Sequence, residues 1–496
     1  MQTIELPPGV VNTKSTKRKS ANWRETHLIR WQDGTLAPIG GWEAVDYPPF
    51  ASPLREMHRW ADNLGNVHIA YLCEQHCYVD TGGEITDITP IDGIEPPPIV
   101  GQGGYGDDVY GTEDYGEPRD AVARSVNYGP CYTLDNWGEE LRVMTSSDGR
   151  LLAWLPTTPT TKLVAVANAP TGNRSFAITP ERVIILFGAG GSPAKFQWCD
   201  QEDDTEWTVG TTTKAGEYDV EPRSPIMAHK KFSGGVLFFT ARGIAYTIRY
   251  VGLPYVYSYE QVSECPPPYS AASLADIPLG IVWASLSGFW AFNGSTIAPV
   301  PCTVWDWVRK QIYPDNTKFQ SYMIDVASHS EIWWFFSTQG SGVNDKYVLY
   351  NYATNIWAMG TLTRSCGYSF PNDANPIMSD GTKVYKHESS FVYGGADKPW
   401  AETFTMNVLN GVNKMTIRQM KPEIVGGADL VQFRFIKKEN PSNDAETISS
   451  AKSIRPNGMV DVRETSRDFR LRVEMIGAAD WTLGTVDIDA IGRGKK

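Results

Sequence analysis

The run from Gly235 to Tyr250, G-V-L-F-F-T-A-R-G-I-A-Y-T-I-R-Y, sets two short apolar strands on either side of an Ala-Arg-Gly turn. Val236, Leu237, Phe238 and Phe239 form a continuous apolar run, the pattern of a strand covered on both faces. Ile244, Tyr246 and Ile248 alternate with smaller or polar neighbours, and Gly243 suits the turn because positive φ is cheap only without a Cβ. Variants of this hairpin recur at Val67 to Val79, Leu141 to Trp154, Val183 to Phe187, Ile281 to Phe292 and Ile332 to Tyr352, with a shorter one at Val384-Tyr385-Lys386. Successive hairpins lie roughly 40 to 55 residues apart, with one gap of about 70, which is the period of propeller blades. The expected fold is therefore all-β: a β-propeller of about six or seven blades. It spans 55–398, between an extended N-terminal arm (1–54) and an antiparallel, sandwich-like C-terminal β domain (399–496).

Composition agrees with many strands and tight turns, since 17 Trp and 23 Tyr accompany 45 Gly and 33 Pro. A net charge of −12 argues against gripping nucleic acid over a broad surface, because such binding draws its affinity from neutralised phosphates. No apolar stretch approaches the roughly 18 residues of a membrane span, and the expectation is a soluble chain made in a cytoplasm. Seven scattered cysteines are an odd number, which suits reduced core residues better than a disulfide framework.

The arm carries a basic cluster (Lys14, Lys17, Arg18, Lys19) and is expected to contain one strand. Its Trp23, Leu28, Ile29, Trp31, Ile39 and Trp42 are too apolar for a free tail, so Trp23, Trp31 and Trp42 are candidate anchors on the body or on a neighbouring subunit. Between residues 91 and 119 lies a Gly/Tyr-rich loop in which Tyr105, Tyr110 and Tyr115 recur every five residues, each followed by Gly, with Asp107 and Asp108 among them. Such a segment cannot offset its own ordering entropy, so it is either a subunit contact or an exposed loop, and these five residues are candidate interface or channel residues. Beyond Lys398-Pro399-Trp400, period-2 strands are expected at Thr403 to Leu409, Met415 to Met420, Leu430 to Ile436, Phe469 to Ile476 and Trp481 to Ile488.

Candidate chemistry is thin. His68, Cys73, His76 and Cys77 place soft metal ligands close together, but Cys-x3-Cys across a hairpin turn, without a second pair, is poor zinc spacing. Asp200, Glu202, Asp203, Asp204 and Glu206 invite a glycosidase reading, yet that reaction needs two acids on opposite sides of the bond, and one turn does not provide them. G-Q-G-G-Y-G (Gly101 to Gly106) follows prolines and opens no helix, so it is not a dinucleotide loop. No catalytic residue, cofactor or metal is expected.

Several segments in order resemble a known family. They are P-P-G-V-V-N-T-K-S (Pro7 to Ser15), I-R-W-Q-D-G-T-L-A-P-I-G-G-W (Ile29 to Trp42), the Gly-Tyr segment, Y-T-L-D-N-W-G-E-E-L (Tyr132 to Leu141), F-Q-W-C-D-Q-E-D-D-T-E-W (Phe196 to Trp207), Y-V-G-L-P-Y-V-Y-S-Y-E (Tyr250 to Glu260), E-I-W-W-F-F (Glu331 to Phe336) and W-T-L-G-T-V (Trp481 to Val486). Together they resemble the β-propeller tail proteins of short-tailed bacteriophages, known as tail nozzle or packaged-DNA stabilisation proteins. The resemblance implies a virion protein: a homo-hexameric ring beneath the portal and adaptor rings, contacting fibres or spikes, with double-stranded DNA passing through its lumen without tight binding. Two alternatives are a receptor-binding or fibre-connecting tail protein and a propeller-fold polysaccharide depolymerase.

Overall fold

A computed structural model describes residues 1–12, 22–97, 129–313, 321–370, 375–395, 398–406, 414–438 and 446–493. Among them the strands form seven four-stranded and two six-stranded sheets, all antiparallel in their pairing. The four-stranded sheets are seven propeller blades. Their inner strands are Leu54–Ala61, Tyr132–Trp137, Ser175–Ile178, Ile226–Phe232, Leu274–Ile277, Tyr322–Val326 and Cys366–Tyr368. These lie side by side in chain order, and Cys366–Tyr368 of blade 7 returns against Leu54–Ala61 of blade 1 to close the ring.

Blade 4 shows why the apolar run at 236–239 is uninterrupted. In Gly235–Thr240 successive side chains point to opposite faces, and in a propeller each face meets a different blade. Val236 and Phe238 join the core shared with Phe187 and Phe196 of blade 3, whereas Leu237 and Phe239 join the core shared with Ile281 and Trp283 of blade 5. All four are at most 1% exposed, and each burial is worth about 1.5–3 kcal/mol. Gly243 sits in the expected turn with φ +80°, and a Cβ there would lie 3.0 Å from the Cys265 carbonyl oxygen.

The arm differs from the expected single strand: its described residues hold five, Gln2–Ile4, Trp23–His27, Ile29–Gln32, Thr35–Pro38 and Trp42–Ala44. They were not legible because strands of three to five residues carry little periodicity and pair with distant partners. Trp42–Ala44 is the outer strand of blade 7, pairing His387 with Trp42 and Tyr385 with Ala44. The other four join the C-terminal strands. One six-stranded sheet runs Ile29–Gln32, Thr35–Pro38, Thr482–Gly492, Met415–Val425, Val460–Ser466, with Gln2–Ile4 beside Thr482–Gly492. The second runs Trp23–His27, Trp400–Thr403, Asp468–Met475, Val431–Lys438, Thr447–Ile448, with Lys452–Ser453 beside Val431–Lys438. Ile417, Met420 and Val486 of the first sheet share a core with Phe433, Phe435 and Val473 of the second. The sandwich is thus built from both chain ends, not from residues 399–496 alone.

That core continues into the propeller, taking in Trp333, Phe335, Tyr347 and Trp357 of blade 6. Thr26 Oγ1 donates to the Met359 carbonyl (2.8 Å), and the Tyr347 hydroxyl accepts from the Leu28 amide (2.9 Å). At the seam between arm, blade 6 and blade 7 the buried Arg30 guanidinium meets Glu331 at 3.0 Å and Glu388 at 2.6 Å. Glu388 also accepts from the Gly40 amide at 2.9 Å. Gly40 and Gly41 are required by close approach: a Cβ at 40 would lie 2.3 Å from a Glu388 carboxylate oxygen and one at 41 only 2.1 Å from the Val392 carbonyl oxygen.

Candidate functional site

The seven inner strands line a solvent-open cavity of about 410 Å³ on the propeller axis. Every blade lines it: Glu56 from blade 1, Cys131 to Asp135 from blade 2, Phe176 and Ala177 from blade 3, His229 to Lys231 from blade 4, Leu274 and Asp276 from blade 5, Tyr322 and Met323 from blade 6, Cys366 and Gly367 from blade 7. An inner strand has one unpaired edge, so polar side chains collect where the channel leaves room for them.

The charges there are unevenly matched. Lys231 is ion-paired with Asp135. His229 stacks on Phe187 with ring centroids 4.5 Å apart, its Nδ1 lies 3.1 Å from Ser175 Oγ, and burial pulls its pKa down to about 4, so it is neutral at pH 7. His58, 3.0 Å from Asn136 Oδ1, is likewise shifted down by burial. Burial pushes the Glu56 carboxyl up to about 7, against the opposing pull of Lys230. Asp325, on the inner strand of blade 6, is pushed up to about 6 by burial, with repulsion from Asp276 adding to it. Asp276 is raised too, again by burial and against Lys230. Glu56 and Asp276, from blades 1 and 5, thus line the cavity together with Lys230, whereas Asp325 stands off the lining and hydrogen-bonds Tyr352. Sequence reasoning missed this group. Its only signal is a lone charge within an otherwise apolar first strand of a blade, as in L-A-D-I (Leu274 to Ile277) and M-I-D-V (Met323 to Val326).

The residues singled out from sequence lie elsewhere. Trp23, Trp31 and Trp42 are buried within the chain's own body. Tyr105, Tyr110, Tyr115, Asp107 and Asp108 fall outside the described residues, as do Lys14, Lys17, Arg18 and Lys19. Cys73 and Cys77 are buried thiols, the first pushed up to about 12 and the second well above its ordinary value, while His68 faces Thr81 and Asp62 and His76 faces Ser52. Among the described residues no three His, Cys, Asp or Glu side chains converge as metal ligands do. The acidic turn at 200–206 connects the outer two strands of blade 3, away from the axis, and its acids act locally. Asp204 pairs with the buried Arg142 at 2.6 Å, Asp200 accepts from the Lys214 and Gln201 amides, and Asp203 accepts from Thr205.

One surface feature stands apart. Ile244–Gly252 and Val256–Glu264 make the longest hairpin of the propeller, and its tip carries Tyr250, Val251, Leu253 and Tyr255 at 41%, 52%, 72% and 69% exposure. Single exposed apolar residues are ordinary, but four within six positions form a patch.

No protein-family model matches the chain, and no curated protein matches it. Among solved structures it is similar to a catalytically inactive virginiamycin B lyase from Staphylococcus aureus (10% identity, TM-score 0.41, covering 70% of this chain and 98% of that one). It is similar to BBS1N in complex with ARL6DN (8% identity, TM-score 0.41, 70% and 97%) and to the computationally designed Ika8 protein (10% identity, TM-score 0.38, 77% and 99%). These likenesses are too remote to bear on activity; the propeller assignment rests on the strand order and ring closure described above.

Proposed function

We propose that this chain is a structural component of a bacteriophage tail, a nozzle ring that forms the distal DNA conduit and helps to retain and then release packaged DNA. The ordered sequence segments support it, and the observation that carries the assembly part is the apolar hairpin tip at 250–255. This tip falls within one of those segments and offers a rigid, strand-supported contact for a neighbouring subunit. Light scattering and native mass spectrometry of the purified chain test the reading. A closed ring of about six copies is expected, and Leu253→Asp should shift it toward monomer without lowering the unfolding temperature. A wild-type chain that stays monomeric both alone and with phage adaptor rings overturns it.

A six-copy ring would carry roughly −70 formal charges, so DNA should slide through without being held, since each neutralised phosphate is a barrier to motion. Binding to duplex DNA at about 50 mM salt, where counterion release favours it most, is expected to be weaker than micromolar. Submicromolar affinity would mean the protein clamps DNA.

The axial carboxyls favour one second reading, polysaccharide cleavage, because Glu56 and Asp276 line the cavity from separate blades and Glu56 is placed to hold a proton near neutral pH. Release of reducing ends from capsular polysaccharide, abolished by Glu56→Gln, would support it over a purely structural role.

A further inference from the structure

We propose that the buried contact between His387 and Arg364 is an acid-sensitive latch, and that a proton on His387 releases the arm strand Trp42–Ala44 from blade 7. His387 ends Val384–His387, the strand that Trp42–Ala44 covers, and stands opposite Trp42 in the register. Its ring centroid lies 5.3 Å from that of Trp42, and its Nε2 accepts a hydrogen bond of 2.9 Å from Arg364 Nε. Arginine can only donate, so Nε2 must be the bare nitrogen of a neutral ring. His387 and Arg364 are 2% and 4% exposed. The guanidinium also donates to the Thr363 carbonyl at 2.6 Å and lies over the rings of Trp42 and Tyr385, 5.0 and 4.5 Å from their centroids. Among the described residues neither side chain has a carboxylate at ion-pair distance, and Arg364 Nη2 is buried without an acceptor.

A proton at Nε2 turns the acceptor into a donor and sets two cations in contact inside the blade. The charged groups around them are already engaged. Asp380 accepts from the Tyr385 hydroxyl at 2.8 Å and from the Thr382 and Lys383 amides. Glu388, the next residue, is held by Arg30 and the Gly40 amide, with His329 facing it at 4.0 Å. Lys386 and Glu43, one position from His387 and Trp42 along their strands, stand on the opposite face. From blade 6, Tyr322 brings a hydroxyl that burial keeps protonated. Burial, with the Arg364 charge added to it, holds His387 well below its ordinary value, whereas Arg364, drawn down by burial to about 10, stays charged at neutral pH. In the released strand His387 titrates near its ordinary 6.5, so closure is fully present above that pH and is lost as pH falls below it. The arm strand is what yields, because it is held by three paired positions and its Trp42 ring packs against both side chains. Release leaves the edge of Val384–His387 open to a strand from another chain.

Hydrogen exchange of the full chain, read at single amides, tests the latch. The Val45 amide donates to the Val384 carbonyl at 2.9 Å and the Trp42 amide to the Val392 carbonyl at 3.1 Å, so both report on the contact between arm and blade 7. From about pH 7 to about pH 5, after correction for the intrinsic rate, both should lose protection by on the order of thirtyfold, which is up to about tenfold for each pH unit below the ordinary histidine value. Val282 and Trp283, in a blade that carries no histidine, should lose less. His387→Gln keeps a carbonyl that can accept from Arg364 but does not titrate, and should abolish the loss at Val45 and Trp42. His229→Gln, in the axial cavity, should leave it unchanged. The proposal is overturned if wild-type protection at Val45 and Trp42 is the same at both pH values, or if Val282 and Trp283 lose as much. It is equally overturned if folded His387→Gln keeps the wild-type pH dependence or if His229→Gln removes it. Should His387→Gln fail to fold, the two wild-type outcomes decide.

Discussion

Arg30 is buried with Glu331 and beside the half-buried Glu388, so removing it leaves Glu331 as an uncompensated buried charge and strips Glu388 of its partner. Arg30→Ala is expected to cost about 3–5 kcal/mol in urea unfolding, and Arg30→Met combined with Glu331→Gln and Glu388→Gln should recover most of it. In the axial cavity the sign is different, because the Glu56 carboxyl has a folded pKa above its ordinary value of 4.5. Its proton is held more tightly in the folded state, so stability falls as pH climbs from about 4.5 to about 7. Glu56→Gln should therefore stabilise the protein at pH 8 by on the order of 1–3 kcal/mol and change little at pH 4, measured as the unfolding midpoint against pH. His229 acts oppositely: held neutral down to about 4, it withdraws stability as pH falls below 6.5, and that limb should survive in the variant. The arm's tryptophans could be read as buried from sequence, since no free tail hides so much apolar surface. Arg30 could not, because its partners stand 301 and 358 residues away and nothing local marks the pairing.

At the level of elements, the closing strand of blade 7 is the shortest route by which the chain can break. Trp42–Ala44 holds the outer edge of Val384–His387 through three paired positions, and Gly41 lets the chain pass beneath Val392. Gly41→Ala forces a Cβ into a backbone carbonyl that cannot turn aside. It should cost about 1–3 kcal/mol and speed amide exchange at Tyr385 and Lys386 ahead of blade 4. Hairpins with two or more apolar strands were legible because both faces of each blade are covered, which writes a dense run such as 236–239 into the sequence. In the sandwich the alternating pattern gave Met415–Val425, Val431–Lys438, Asp468–Met475 and Thr482–Gly492 nearly in place. Val460–Ser466 escaped because Arg463 and Glu464 interrupt its alternation, and Trp400–Thr403 lies just before the strand expected at Thr403 to Leu409, whose later residues fall outside those described.

Across the whole molecule, the chain's two ends meet in one sandwich, and its core runs unbroken into blade 6. Two modules joined by a thin linker would unfold in two steps, but a shared core couples them. Calorimetry should therefore show the sandwich and blade 6 losing structure in a single transition. The axial carboxyls belong to this scale as well, since Glu56 of blade 1 and Asp276 of blade 5 come to line one cavity only when the ring closes, and no spacing along the chain announces it. Deleting residues 1–47 makes the sharpest test. It removes the outer strand of blade 7, one edge of each sandwich sheet and Arg30 with its seam, leaving the buried Glu331 and the half-buried Glu388 without their partner. The truncated chain is expected to lose cooperative unfolding and become protease-sensitive in both modules, and any failure to form rings or join tails would follow from that loss. A truncated protein that keeps a single sharp transition at the wild-type temperature would mean that the five arm strands are passengers on a body able to close without them.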